Sequence, residues 1–204
     1  RDAAFECFAS AGFPSRKVER YKYTDMQALF APNYGLNLNR LQIPVDPYNA
    51  FRCDVPNLST SLYFVVNDMF FHDEKPKGHL PEGVIIGSLK DFATTEYYNR
   101  LAGQANDAVT DLNTMLAQDG LYVYVPKNMK VERAIQLINI LKALTQWGKA
   151  GEEALMVNRR VLIILEEGAE IKMLFCDHAA DDRNFLSTQV IEAYVGENAS
   201  LDLY

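Results

Sequence analysis

A seven-residue pattern recurs along the second half of the chain and restricts the fold more than any other feature. Leu165-Glu166-Glu167-Gly168-Ala169-Glu170-Ile171 is followed, 30 residues on, by Val195-Gly196-Glu197-Asn198-Ala199-Ser200-Leu201. Each copy opens on an aliphatic residue, has Glu third, Gly or Asn fourth, Ala fifth and an aliphatic residue seventh. Gly and Asn enter left-handed backbone at the least cost. Each copy therefore reads as a strand, a tight corner at Gly168 or Asn198, and a second strand. Val125-Pro126-Lys127-Asn128-Met129-Lys130-Val131 is a further copy with its corner at Asn128, 40 residues before the Gly168 copy. The ten additional residues are expected as a loop around Trp147-Gly148-Lys149-Ala150-Gly151. Val65 to Phe71 is either a weak fourth copy or an ordinary hairpin.

Strand–corner–strand units at a fixed period define a solenoid. These units are β-rich and hold no helix, so the expected form is a right-handed β-helix. Alternation after the corner puts Ile171, Met173 and Phe175 on one face and Glu170, Lys172 and Leu174 on the other. The alternative is a β-sandwich whose turns happen to look alike. The last copy stops at Leu203-Tyr204, inside its second strand, which would leave backbone groups and a core end uncovered. The expectation is a β-helix truncated at its C-terminal end, continued in a longer protein or covered by a partner. The chain also opens on Arg rather than Met, as a trimmed N-terminus would.

Upstream the pattern is mixed. Ala3 to Ala11 reads as a short helix with Phe5, Phe8 and Ala9 on one face, stopped by Gly12 and Pro14. Thr24-Asp25-Met26-Gln27 matches a capping box and predicts a short helix to Phe30. The Pro- and Asn-rich stretch 31–60 reads as irregular. Leu62 to Phe71 predicts a strand pair around Asn67-Asp68, and Val84-Ile85-Ile86 a short strand after the turn Pro81-Glu82-Gly83. Asp107 to Gln118 is the clearest helix, with Val109, Leu112 and Leu116 in one stripe and Gly120 as its C′ residue. The expected division is an α/β N-terminal region over 1–120 and the first rungs of the β-helix over 121–204.

Composition allows a packed core and opposes wholesale disorder: of 204 residues 49% are apolar and 23% charged. A net charge of −7 opposes a nucleic-acid-coating or anionic-membrane role. No stretch approaches the roughly 18 apolar residues of a membrane span, and the start does not read as a secretory leader. Three sparse cysteines, Cys7, Cys53 and Cys176, suit free thiols in a reducing compartment such as the cytoplasm. No CxxC or HxxxH pair offers a closed zinc site, and no GxxxxGK[ST] or GxGxxG offers a phosphate loop.

One segment carries metal-ligand chemistry. In Cys176-Asp177-His178-Ala179-Ala180-Asp181-Asp182, the residues Cys176 and His178 would share a strand face, with Asp181 or Asp182 adding an oxygen. The plainer reading is a loop between rungs with solvated acids and a core cysteine. Cys7, on a short amphipathic helix beside Phe8, reads as a packing or incidentally exposed residue rather than a chemical one. Cys53, beside Arg52, is mildly activated at most. His72 and His79 flank the Lys75-Pro76-Lys77-Gly78 turn and read as exposed. The basic run Arg16, Lys17, Arg20 and Lys22, interleaved with Tyr21 and Tyr23, is broken by Glu19. It fits Arg–carboxylate ties and packed tyrosines better than a nucleic-acid stripe.

Three segments resemble the SufD family. Phe13-Pro14-Ser15-Arg16-Lys17-Val18-Glu19-Arg20-Tyr21-Lys22-Tyr23-Thr24-Asp25 is similar to the family's N-terminal signature of Pro14, Arg16, Lys17, Glu19, an aromatic residue, Lys22, Tyr23 and Thr24, with Tyr21 where Trp is commonest. Arg160-Val161-Leu162-Ile163-Ile164-Leu165-Glu166-Glu167-Gly168-Ala169 resembles the opening of its β-helix. Val190-Ile191-Glu192-Ala193-Tyr194-Val195-Gly196-Glu197-Asn198-Ala199 resembles the next rung. The related SufB proteins share the β-helix but not, typically, this signature. The resemblance implies a non-catalytic scaffold of cytosolic iron–sulfur cluster assembly, partnered by a SufB-like subunit and a SufC-like ATPase. It implies no resident cofactor in this part of the chain, and a cluster held only transiently by the assembled complex. The SufC-binding helices and polar interface residues of the family lie toward the C-terminus, so no functional residue carries over. Two other classes compete: a self-associating structural β-solenoid, including a homodimer, and a β-helix carbohydrate-active enzyme. The latter needs clustered Asp, Lys or Arg on one strand face, and none is seen.

Overall fold

The structure is a computed structural model that describes the chain except residues 35–44, 52–58, 74–79, 93, 95, 143–153, 181 and 183. Cys53, His79, Asp181, the Lys75–Gly78 turn and the Trp147–Gly151 loop lie outside the described residues.

Nine strands form two sheets among the described residues. They are β1 (Ser61–Val66), β2 (Met69–Phe70), β3 (Ile85–Ser88), β4 (Leu121–Val125), β5 (Ile135–Leu141), β6 (Leu155–Leu165), β7 (Glu170–Ala179), β8 (Phe185–Val195) and β9 (Ser200–Leu203). One sheet has the order β2-β1-β5-β7-β9 and the other β3-β4-β6-β8. From β4 to β9 the chain changes sheet at every step, and each new strand lies parallel to the one two steps earlier. β1 extends the first sheet parallel to β5, and β2 folds back on it around Asn67, whose φ is 58°. β3 closes the second sheet antiparallel to β4. Both sheets therefore run across position 120.

Apolar residues of the two sheets meet face to face. Leu121, Val123, Val125, Val161, Ile163 and Leu165 from one sheet pack with Ile135, Leu137, Ile171 and Met173 from the other. Alternation on β7 sends Ile171 and Met173 into this core, with Phe175 packed against it. Long Val/Ile/Leu runs, as in β6, arise because both faces of the strand are covered. The outer face of the first sheet holds Phe64, Ile138 and Ile140 under Tyr48 and Phe51, from and beside helix α3 (Pro47–Ala50). The outer face of the second holds Tyr122, Leu162 and Ile164 under Leu89 of α4 (Leu89–Phe92), Tyr97 and Tyr98.

The register locates the ten additional residues. Val125 pairs with Leu165 and Lys130 bridges Glu170, an offset of 40. Ile135 pairs with Met173, an offset of 38, and Leu155 with Phe185, an offset of 30. Two of the ten thus lie between Lys130 and Ile135, and eight between β5 and β6. The insertion is split rather than single.

The helices are short. α1 (Asp2–Ala11) ends at Gly12, with φ 64°, and packs on α5 (Ala108–Leu116). α2 (Met26–Phe30) is capped by Asp25, whose side chain accepts from the Ala28 N–H at 3.0 Å. The capping box expected at Thr24 does not form: the cap is Asp25, one residue later and at least as good an acceptor, and the third helical residue is then Ala28 rather than Gln27. α5 ends at Ala117, not against Gly120. Gly120 serves a different need: a Cβ there would lie 2.0 Å from the Arg160 carbonyl oxygen, so the backbone of β6 excludes any other residue. No described helix is long and apolar enough to cross a membrane.

Candidate functional site

The three corners stack. Asn128, Gly168 and Asn198 have φ of 57°, 68° and 57°. Each is the third residue of a β-turn, closed by Met129 N–H to Pro126 O, Ala169 N–H to Glu166 O, and Ala199 N–H to Gly196 O. The turns are bonded to one another as well: the Asn128 N–H donates to Glu167 O and the Gly168 N–H to Glu197 O, both at 2.8 Å. Opposite charges face each other between the first two corners, with Lys127 on Glu167 at 2.7 Å and Lys130 on Glu170 at 3.0 Å. These pairs are half-exposed and contribute little stability each.

The signature segment is held by one carboxylate far away in sequence. Arg20 Nη1 lies 2.8 Å and the Tyr21 hydroxyl 2.6 Å from Asp107 Oδ2. The other oxygen of Asp107 caps α5 by accepting from the Thr110 N–H at 2.9 Å. Burial alone would raise the Asp107 pKa, but the bonds from Tyr21, Thr110 and Arg20 outweigh it and hold the carboxyl below its ordinary value. Tyr21 is pushed up by burial and by the same carboxylate. The rest of the signature makes local contacts. Arg16 pairs with Asp25 at 3.3 Å, Lys22 pairs with Glu19, and the Lys22 ammonium lies 5.0 Å from the centre of the Tyr23 ring. Tyr23 is 90% exposed, so the packed-tyrosine expectation holds for Tyr21 and fails for Tyr23.

Behind α5 lies a buried polar knot that sequence reasoning missed. Arg160 and Glu192 project from β6 and β8 onto the outer face of the second sheet and form an ion pair at 2.8 Å, with side chains 0% and 2% exposed. Arg160 also donates to Thr114 Oγ1 at 2.8 Å, Asn99 Oδ1 at 3.0 Å and Asn113 Oδ1 at 3.3 Å, and its guanidinium lies 5.0 Å from the Tyr98 ring centre. Glu192 accepts three backbone N–H groups, from Asn99, Leu101 and Ala102, at 2.9, 3.0 and 3.1 Å. Asn113 donates to Thr188 Oγ1 at 2.8 Å and Arg159 O at 3.1 Å. The sequence carried a faint signal: Asn158-Arg159-Arg160 interrupts an otherwise apolar strand. Isolated buried charges are prohibitively costly, so such residues demand partners.

Cys176 and His178 do share a face of β7, the outer one, and that face packs on the cluster of Phe64, Val66, Ile138 and Ile140. Cys176 is half-buried and lies 3.4 Å from Gln136 Nε2. His178 packs edge-on against Phe51, ring centres 5.3 Å apart. Asp177 points to the opposite face and binds the Arg159 guanidinium through both oxygens. Burial opposes ionisation of Asp177, and Arg159 overcomes it, holding the carboxyl below its ordinary value. Among the described residues no three His, Cys, Asp or Glu side chains converge on a point a metal ion could occupy. Cys7 is exposed on α1, and the half-exposed His72 approaches Asp91 at 4.0 Å.

Parallel strands alternating between two sheets, stacked corners and a helical layer tied down by buried charges define the class of structure; comparison with known proteins supplies the family. Residues 1–137 match the family model described as the SufBD protein N-terminal region. The chain belongs to that family of SufB- and SufD-type proteins. It is 28% identical over 211 residues to the chloroplastic protein ABCI7 of Arabidopsis thaliana, covering 98% of this chain and 42% of the relative. It is 22% identical over 214 residues to an iron–sulfur cluster assembly SufBD family protein of Synechocystis, covering 98% and 45%. The chain spans under half the length of these curated relatives.

Proposed function

We propose that the chain is the N-terminal portion of a SufD-type, non-catalytic scaffold subunit in iron–sulfur cluster assembly. The observation that carries the reading is the family match over residues 1–137, on a chain whose signature segment clasps the body through Asp107. The name of the Synechocystis relative supports the process. The signature at Pro14 to Thr24 favours SufD over SufB. The parallel strands that change sheet at every step support a right-handed β-helix as the scaffold. The partners in this reading are a SufB-like subunit and a SufC-like ATPase in the cytoplasm or an equivalent compartment. The nascent cluster is cargo of the assembled complex rather than a cofactor of this chain. Affinity purification of the intact protein under gentle conditions tests the proposal. Recovery of both partner subunits is expected; recovery of neither refutes it.

A further inference from the structure

Residues 97–104 are attached to the body in an unusual way. Their backbone hydrogen bonds among the described residues stay local: Tyr98 N–H to Thr94 O, Arg100 N–H to Tyr97 O, Gly103 N–H to Asn99 O and Gln104 N–H to Leu101 O. None of these backbone–backbone bonds reaches a strand. Left-handed residues stand within and just beyond the segment, Asn99 with φ 62° and Asn106 with φ 46°. Apolar anchoring is modest: Ala102 is buried, Tyr97 and Tyr98 are half-buried, and Leu101 is 46% exposed. What joins the segment to the sheet is mainly polar. Three of its N–H groups converge on Glu192, the Asn99 side chain accepts from Arg160, and the Tyr97 carbonyl accepts from the Tyr194 hydroxyl at 2.8 Å. Clustered N–H groups make an anion-binding concavity. Here the anion is supplied by the protein's own β8.

We propose that residues 97–104 are a latch, closed over the outer face of the second sheet around the Glu192 carboxylate, and that it opens as a unit while both sheets stay intact. Opening uncovers the side of the Arg160 guanidinium that Asn99 and Tyr98 cover and the part of the Tyr122–Leu162 patch beneath Tyr97 and Tyr98, while Asn113 and Thr114 of α5 and Leu89 of α4 stay in place. The sheets do not depend on the latch, because their ladders and the core between them involve none of its residues. The latch does depend on the sheet, because its three converging N–H groups donate to the Glu192 carboxylate of β8.

Native-state hydrogen exchange on the intact protein in rising, sub-denaturing urea tests this directly. The amides of Asn99, Leu101 and Ala102 are expected to exchange at least about tenfold faster than those of Val161 and Ile163, with almost no urea dependence, as local opening requires. Equal rates and equal urea slopes at the two sets of amides would overturn the proposal. A second arm uses Glu192→Ala with sodium formate, against sodium chloride at the same ionic strength. The three latch amides should speed up by about tenfold or more, as loss of charge-assisted hydrogen bonds implies. Formate should slow them again in a saturable way, by occupying the vacated concavity beside Arg160. Latch amides that stay as slow as the parent's, or that formate leaves fast, would refute it. Should the variant not fold, the urea series on the unmodified protein decides alone.

Discussion

Replacing Arg160 with Met is the most informative single change to the fold. Met fills much of the volume but removes a guanidinium that is fully enclosed. Two effects set the size of the loss. Breaking a buried ion pair by deleting one partner costs about 3–5 kcal/mol, because the other charge is left in a poorly solvating interior. Against that, Glu192 keeps its three backbone donors, and hydrogen bonds to a charged group are worth roughly 1.5–3 kcal/mol each. The carboxylate is therefore not stranded, and the cost should fall at the lower end, about 3 kcal/mol. For a chain of this size, that lowers the melting temperature by roughly 6–12 °C. Glu192→Leu should cost more, about 4–5 kcal/mol, since it orphans both the guanidinium charge and the three N–H groups. Combining the two removes both charges at once, so the double variant should be less destabilised than the sum of the singles by about 2 kcal/mol. Urea unfolding followed by circular dichroism gives all four corners of the cycle. An Arg160→Met variant within about 0.5 kcal/mol of the parent, the range of a change at an ordinary surface site, would mean the pair is not desolvated. Additive losses would mean the two charges do not interact. Either result refutes the argument.

Three further outcomes follow from the corners, the clasp and the thiols. Asp107→Ala should destabilise by at least about 1 kcal/mol at neutral pH through loss of the helix cap, and by more through release of Arg20 and Tyr21. Because the folded-state pKa of Asp107 is depressed, this stabilisation is fully present above the ordinary value near 3.8 and fades as the pH falls through the lower folded value. Parent and variant melting curves should thus converge in acid, and a gap that persists unchanged there would contradict the clasp. Gly168→Ala forces a Cβ onto left-handed backbone 2.4 Å from Asn128 Oδ1 and should cost about 1–2 kcal/mol, whereas Asn198→Gly should lie within about 0.5 kcal/mol of the parent. Calorimetric melting separates these, and equal losses would deny the corner its special backbone. In the folded protein a thiol reagent should modify Cys7 rapidly and Cys176 slowly, a difference that peptide mapping by mass spectrometry reads and that denaturation should abolish.

Features set by local chemistry were legible in the sequence. Left-handed backbone admits few residue types, so the positive φ of Asn128, Gly168 and Asn198 left a mark at each position. Period-two alternation likewise marked Ile171 and Met173 as inward-facing. What escaped was non-local. Nothing in Arg20 and Tyr21 indicates a partner 87 and 86 positions away. The Arg160–Glu192 pair joins two strands whose register is known only once the sheet is built. Even a local feature slipped where two acceptors competed: Thr24 and Asp25 both suit a helix start, and the better acceptor took it. Tyr23 went astray because alternation of aromatic and basic residues does not say which ring faces inward. The candidate site was thus half legible, its signature visible and its anchor hidden.

The bonded corners have a consequence for how such a chain can change length. Val125, Leu165 and Val195 remain in line although the first two are 40 residues apart and the last two only 30. Alignment is therefore carried at the turns, where the N–H groups of Asn128 and Gly168 donate to the next turn, and not by the number of residues per circuit. Segments outside the turns can lengthen or shorten, as those before β5 and β6 have, while the strands keep their reading frame. A lineage can rewrite the flank of this protein and leave its spine untouched.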